Sequence, residues 1–234
     1  MYLKELCEMD GVSGNETPVR KFIKENIREY ADEIFTDSIG NLIAKRKGES
    51  SEKKVMIDAH TDEVGFIISG ITEKGFLEFK TVGGIDARVV VSKRVRIGKD
   101  SVNGVIGMKA IHLQKKSERE IAPKISDMYI DIGANSKEEA ERYIELGDYA
   151  AFNTKYQEMS GKIIKAKAID DRAGCAVLME LIKIKPVYDT YFCFTAQEEV
   201  GLRGAKTAAY AIEPDIALAV EATTCSDVGG VKEK

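Results

Sequence analysis

Along the chain, apolar side chains recur first at helical and then at strand spacing. Val19, Phe22, Ile23, Ile27 and Tyr30 follow Thr17-Pro18 at intervals of a helical turn, which predicts a helix capped by the threonine with proline at its first position. "SIGNLIAKRKG" reads as a turn and a strand, and "KKVMIDAH" as a strand that becomes apolar before it ends in His60. From Val64 to about His112, short β-branched runs ("VGFIISGI", "FLEFKTV", "RVVVSKRVRI", "GVIGMKAI") alternate with glycine-containing turns. That is the pattern of a small antiparallel barrel or sandwich. "QKKSEREIAPK" reads as a mobile polar loop and "MYIDIGA" as a strand, while Ser136 and Glu139 form a capping box ahead of "EEAERYIEL".

The rhythm changes again after "GKIIKAKA", read as a strand. A helix from about Asp171 to Lys183, the strand "TYFCFTA", the helix "GAKTAAYAI" and the strand "DIALAV" follow. Strands separated by helices predict an α/β fold, with a mostly parallel sheet and helices on both faces. Residues 1–66 and 161–234 are therefore expected to form one α/β domain. An all-β, barrel-like domain is expected to be inserted at residues 67–160.

Composition narrows the function. The chain has 234 residues, 44% of them hydrophobic, enough for one large domain with an insertion. Its net charge is −4, with Lys and Arg spread throughout, so no basic stripe for nucleic acid is expected. No apolar run approaches the roughly 18–20 residues of a membrane span, and "MYLKELCEMDG" lacks a signal-peptide pattern. Cys7, Cys175, Cys193 and Cys225 form no CxxC pair, which argues against a disulfide framework or a thiolate zinc site. Cys175 and Cys193 lie in apolar runs and are expected to be buried, reduced thiols. Together these features predict a soluble, cytoplasmic protein with no membrane or nucleic-acid partner.

Candidate chemistry collects at the ends of predicted strands. "VMIDAHTDE" ends in His60, Asp62 and Glu63, "KAID" in Asp170, "TYFCFTAQEE" in Glu198 and Glu199, and "DIALAVE" in Glu221. The carboxyl ends of strands line the ligand crevice of open α/β sheets. Several carboxylates gathered there repel one another unless they are protonated or neutralised by a cation. One imidazole among carboxylates suits zinc, cobalt or manganese better than magnesium or calcium. Taken singly, each residue has a plainer reading: a packed histidine, a helix-capping aspartate, a solvated acidic pair, a strand-end acid. Asp62, two residues beyond His60, is placed to fix the imidazole tautomer. Four strand ends together favour the metal.

The same segments carry a family resemblance. "IDAHTDEVGF", "AIDDRAG", "TAQEEVGLRGA" and "IEPDIALAVEAT" resemble the signature segments of the tetrahedral di-metal aminopeptidases. That family includes glutamyl and deblocking aminopeptidases, and some members were once labelled cellulases or endoglucanase M. "GVSGNE", "GNLIA", "VGGIDARVV", "GVIG", "IDIGA" and "LGD" follow in family order, so the resemblance spans essentially the whole chain. It implies a zinc-peptidase α/β fold and a metal-dependent aminopeptidase that releases N-terminal residues from peptides, using two divalent ions, zinc or cobalt with manganese also admissible. By resemblance, His60, Asp170 and Glu221 hold one ion and Asp170 and Glu199 the other. Asp62 orients His60, and Glu198 is the general base. The resemblance also implies dimers that build into dodecamers through the inserted β domain.

The family pattern continues past "GGVKEK" to a second ligating histidine and a glycine-rich stretch. The resemblance therefore implies a C-terminally truncated member whose second ion lacks a ligand. His112, the other histidine, matches no family ligand and is expected to be packed or at the surface. A non-catalytic, metal-binding oligomer subunit is the alternative reading. A carbohydrate hydrolase ranks last, because sugar clefts are lined with aromatics and the chain has no Trp and 7% aromatics.

Overall fold

The structure is a computed structural model that describes residues 2–225 and 229–230. The expected end of the α/β domain at 226–228 and 231–234 lies outside the described residues. Helices α1 (Leu3–Glu8) and α2 (Thr17–Ile27) precede strands β1 (Glu33–Thr36), β2 (Leu42–Arg46) and β3 (Ser50–His60). A closed barrel follows, built from β4 (Gly65–Ile71), β5 (Leu77–Val82), β6 (Arg94–Ile97), β7 (Val102–Met108), β8 (Met128–Asp131) and β9 (Tyr149–Phe152). One-turn helices α3 (Lys116–Arg119) and α4 (Lys137–Ala140) lie within it, and β10 (Gln157–Glu158) pairs with β11 (Ile164–Lys165) after it. The chain then forms α5 (Ile169–Leu181), β12 (Tyr188–Thr195), α6 (Arg203–Ile212) and β13 (Ile216–Ala219).

The large sheet has the order β1-β2-β12-β3-β13. β12 and β13 run parallel to β3, while β2 is antiparallel to both β1 and β12. The expected α/β architecture is present, with a mixed sheet: the hairpin of β1 and β2 adds an antiparallel margin to a parallel centre. Strand alternation explains the layers. Phe192 and Phe194 of β12 join Leu42, Ala44 and Ala59 under Cys175, Leu178 and Met179 of α5, with α1 and α2 contributing Leu6, Val19, Ile23 and Ile27. Cys193 points the other way, with Ile43 and Met56, against Ala208 and Ile212 of α6.

The barrel has its own core. Inward residues of alternating strands, among them Phe66, Ile68, Leu77, Val95, Ile97, Ile106 and Ile130, are buried together. Phe66 meets Phe79 and Phe152 edge-on, with ring centroids 5.0 and 5.1 Å away. A polar joint ties the barrel to the α/β layer. Arg96 of β6 donates to both oxygens of Asp10, and the buried Lys167 ammonium reaches Glu63 Oε1, Asp10 Oδ1 and the Met9 carbonyl.

Several local expectations change. α2 begins at Thr17 itself, with Glu16 in the cap position, and the Thr17 hydroxyl accepts from Arg20. "RVVVSKRVRI" is strand only at Arg94–Ile97, because Asp86 caps a 3-10 turn over Ala87–Val89 by accepting from the Arg88 N–H. Ser136 does cap Glu139, but the Glu139 carboxylate reaches the Asn135 N–H, and the helix lasts one turn. The polar stretch after Gln114 contains α3. "GKIIKAKA" contributes only the two residues of β11, outside the large sheet. β3 is already flanked by β12 and β13, so no position beside it is open.

Candidate metal centre

Three adjacent strands deliver their C-terminal ends to one edge. β3 ends at His60, β12 leads into Glu198 and Glu199, and β13 leads into Glu221. Asp170 comes by a different route from the expected strand end. Ala168 adopts a left-handed conformation (φ 51°) and turns the chain so that Asp170 and Asp171 precede the regular part of α5. The peptide bond between the two aspartates is cis. Gln197, just before the glutamate pair, is likewise left-handed (φ 57°). The left-handed conformations of Ala168 and Gln197 are costly for residues with a Cβ, and such conformations concentrate at functional sites.

The neighbouring aspartates divide their work. The Asp170 side chain is 61% exposed and places Oδ1 3.1 Å from His60 Nε2. Asp171 is fully buried, and its Oδ1 accepts from the Gly174 N–H at 3.0 Å, the contact of an N-cap. Gly174 is required there, since a Cβ would press on Asp171 Oδ2 and lie 2.5 Å from the Val220 carbonyl. Burial pushes the Asp171 carboxyl up to about 7.

His60 lies at the centre. Its Nε2 faces Asp170 Oδ1 at 3.1 Å, Glu221 Oε1 at 3.6 Å and Glu198 Oε2 at 4.0 Å. Its Nδ1 lies 3.3 Å from Asp62 Oδ1, an ion-pair contact without good hydrogen-bond alignment. Burial alone would lower the imidazole pKa, but Asp62, Glu221 and Asp170 outweigh it and push it up to about 10. Burial raises Glu199 to about 7, reinforced by the charges of Glu198, Asp62 and Asp170. Burial also raises Glu221 to about 7, with Asp170 and Asp171 adding to it. The edge holds more negative charge than it can tolerate ionised without a cation.

Among the described residues, two groups could each hold an ion, and they share His60. One is His60, Asp170 and Glu221; the other is His60, Glu198 and Glu199. His60, Asp170, Glu198, Glu199 and Glu221 are thus gathered at this edge. The first group is the predicted set for one ion. In the second, Glu199 groups with His60 and Glu198 rather than with Asp170. Glu63, the other strand-end acid, turns away: its carboxylate accepts from Lys167 and from the Gly11 N–H.

Sequence reasoning named Asp62 behind the candidate ligands but missed Ser13, Asn41 and Arg172. The fully buried Asp62 carboxylate accepts from the Ser13 hydroxyl and from the N–H groups of Glu198 and Glu199. Asn41, fully buried, accepts from the Ala196 N–H and donates to the Gly204 carbonyl. Arg172, also fully buried, donates to the carbonyls of Thr61 and Leu6. The polar letters of "GVSGNE" and "SIGN" were a signal for the first two, since both runs stand beside predicted apolar elements.

A family model described as M42 glutamyl aminopeptidase matches residues 40–234. The chain belongs to the M42 glutamyl aminopeptidase family. Its relatives in that family include a protein of Acetivibrio thermocellus provisionally named an aminopeptidase, 46% identical over 96% of this chain and 66% of its own length. A TET aminopeptidase from a marine sediment archaeon of the Thaumarchaeota is 38% identical, with a TM-score of 0.94 over 98% of this chain and 67% of that one. The TET1 peptidase of Pyrococcus horikoshii, described as assembling into a tetrahedron or a large octahedral shell, is 36% identical with a TM-score of 0.85, covering 98% of this chain and 71% of that one. This M42 chain spans about two thirds of the length of the curated relatives it matches, 66% and 65% for the first two.

Proposed function

We propose that the chain carries the metal centre of an aminopeptidase that removes N-terminal residues from peptides. The observation that carries this reading is the donor set at one sheet edge: a buried imidazole whose Nε2 faces Asp170, Glu221 and Glu198. That set fits a borderline divalent ion such as zinc or cobalt. The raised carboxyls of Glu199 and Glu221 are the mark of a site whose charge an ion would neutralise. We assign His60, Asp170 and Glu221 to one ion and Asp170 with Glu199 to a second. Bound ions would supply an activated water and polarise the scissile carbonyl. Asp62 holds the imidazole by its Nδ1 side, leaving Nε2 directed at the carboxylates. Glu198, 29% exposed at the crevice, takes the proton from the attacking water and passes it to the leaving amine. Carboxylates left over at the rim would attract a free α-amine and so select peptide N-termini.

The barrel is proposed as an assembly domain over residues 67–160. Ile111, Leu113 and Ile121 stand 63–67% exposed around α3, a patch suited to a second copy of the chain. Assembly of the Pyrococcus horikoshii relative supports the same reading. No described helix is long and apolar enough to cross a membrane, and Cys7, Cys175 and Cys193 are buried free thiols, which suits a reducing cytoplasm.

The test is release of the first residue from a peptide with a free N-terminus, beside its N-acetylated twin, with the metal-loaded chain. Release from the free peptide alone, abolished by a chelator, is the expected result. Cleavage of the acetylated peptide, or none of either, would overturn the proposal.

A further inference from the structure

The N-terminal segment at residues 11–16 reaches the centre from outside the sheet. Its position is fixed by backbone pairing: the Glu63 N–H donates to the Gly11 carbonyl at 3.0 Å, and the Ser13 N–H donates to the Glu63 carbonyl at 3.2 Å. That register sets Ser13 against Asp62. The Ser13 hydroxyl, on a 4% exposed residue, donates to Asp62 Oδ2 at 2.5 Å. Three residues on, Glu16 Oε1 accepts from the Gly14 N–H at 2.7 Å and from the Gln197 N–H at 3.2 Å. One short segment therefore grips both the carboxylate behind His60 and the turn that presents Glu198 and Glu199.

Asp62 is the hub of this arrangement. A carboxylate offers about four lone-pair positions, and all four directions are used. Oδ1 accepts from the Glu198 N–H at 3.0 Å and faces His60 Nδ1 at 3.3 Å; Oδ2 accepts from the Glu199 N–H at 3.1 Å and from Ser13. Removing the Ser13 hydroxyl leaves Oδ2 with one partner. The carboxylate then turns more freely about its own axis, and each turn moves Oδ1 against both the imidazole and the glutamate backbone. A small defect at Ser13 is thus passed to several proposed ligands at once.

We propose that Ser13 is a positioning residue of the metal centre, acting through Asp62 on His60 and on the Glu198–Glu199 turn. The inference rests on the metal reading given above. It names a residue in no ligand group, and one that reaches no ligand directly.

The experiment is zinc competition against a chromophoric chelator, with the full 234-residue chain as wild type, Ser13→Ala, Ser13→Thr and Ile23→Val. Ser13→Ala should weaken the tighter zinc ion about ten-fold, the low end of what outer partners of a metal-binding histidine carry. Ser13→Thr, which keeps the hydroxyl, should recover most of that loss. Ile23→Val trims the distant core under α2 and controls for stability, so it should lower the metal-free melting temperature with zinc affinity unchanged. Equal zinc affinity for Ser13→Ala and wild type, or an equal loss in Ile23→Val, would overturn the inference and leave the metal reading standing. A wild-type chain that takes up no zinc would overturn both.

Discussion

Asp62→Asn changes one oxygen to an NH₂ group at the most connected carboxylate of the centre. Two orientations of the amide are available. With its carbonyl in the Oδ1 position, the NH₂ faces the Glu199 N–H; with the carbonyl in the Oδ2 position, it faces the Glu198 N–H. Ser13 can rotate its hydroxyl to accept, but a backbone N–H cannot, so either orientation strands one half-buried donor. A stranded donor costs about 1–3 kcal/mol. For a chain of this size, about 2–4 °C per kcal/mol puts the fall in melting temperature at roughly 2–12 °C. Relief of repulsion on Glu199, whose carboxyl Asp62 helps to raise, offsets part of this and favours the lower half of that range. The imidazole also loses the anion that holds its Nδ1 side, which should weaken zinc binding about 10–100-fold. Calorimetry of the metal-free protein and zinc competition read the two effects separately. An Asp62→Asn chain with both unchanged would refute the role given to this carboxylate.

Other changes test other parts of the account. Among the described residues, Lys167→Met leaves the buried Glu63 with the Gly11 N–H and the more distant Arg172; it should cost about 3–5 kcal/mol in urea unfolding, and pairing it with Glu63→Gln should cost less than the sum of the single changes. Glu198→Gln should keep metal content while turnover falls about 10²–10⁴-fold, whereas Glu199→Gln should lower occupancy of the second ion; normal turnover in the Glu198 variant would reverse the two roles. Gly204→Ala would press a Cβ onto the Ala196 carbonyl and Asn41 Oδ1, and should destabilise by about 1–3 kcal/mol, read by thermal melting. The metal-free chain should lose stability steadily as pH rises. Glu199 and Glu221 titrate near 7 when folded, against ordinary values of 4.5, so the folded state binds extra protons between those values and stability falls across that window. His60, raised from 6.5 to about 10, contributes stability present below 6.5 and lost as pH climbs to about 10. Saturating zinc should flatten the lower part of that decline, and a metal-free melting curve that rose between pH 5 and 7 would contradict these assignments.

The acidic sheet edge was legible because strand ends show in sequence as apolar runs followed by acids. His60, Glu198, Glu199 and Glu221 all follow that rule. Asp170 did not need the sheet strand drawn for it; a left-handed turn at Ala168 does the work. The barrel's alternating runs were readable too, but β9 was not picked out, and neither was β1, the edge strand that pairs antiparallel with β2. The order of strands around the barrel depends on pairings between distant segments, which periodicity does not encode. The supporting groups were hidden for the same reason. Ser13 meets Asp62 from 49 residues away, Lys167 meets Glu63 from 104, and Glu16 meets Gln197 from 181. A serine or glutamate in a polar run looks solvated until the fold buries it.

The most direct test of the central claim is metal uptake by this chain beside His60→Ala, with zinc added to metal-free protein and both stoichiometry and affinity recorded. The account predicts one ion per wild-type chain bound more tightly than a second, and loss of that tight ion in His60→Ala, since His60 is one of the three residues assigned to it, with Asp170 and Glu221. Tight binding that survives the loss of His60, or a wild-type chain that binds no ion, would contradict it.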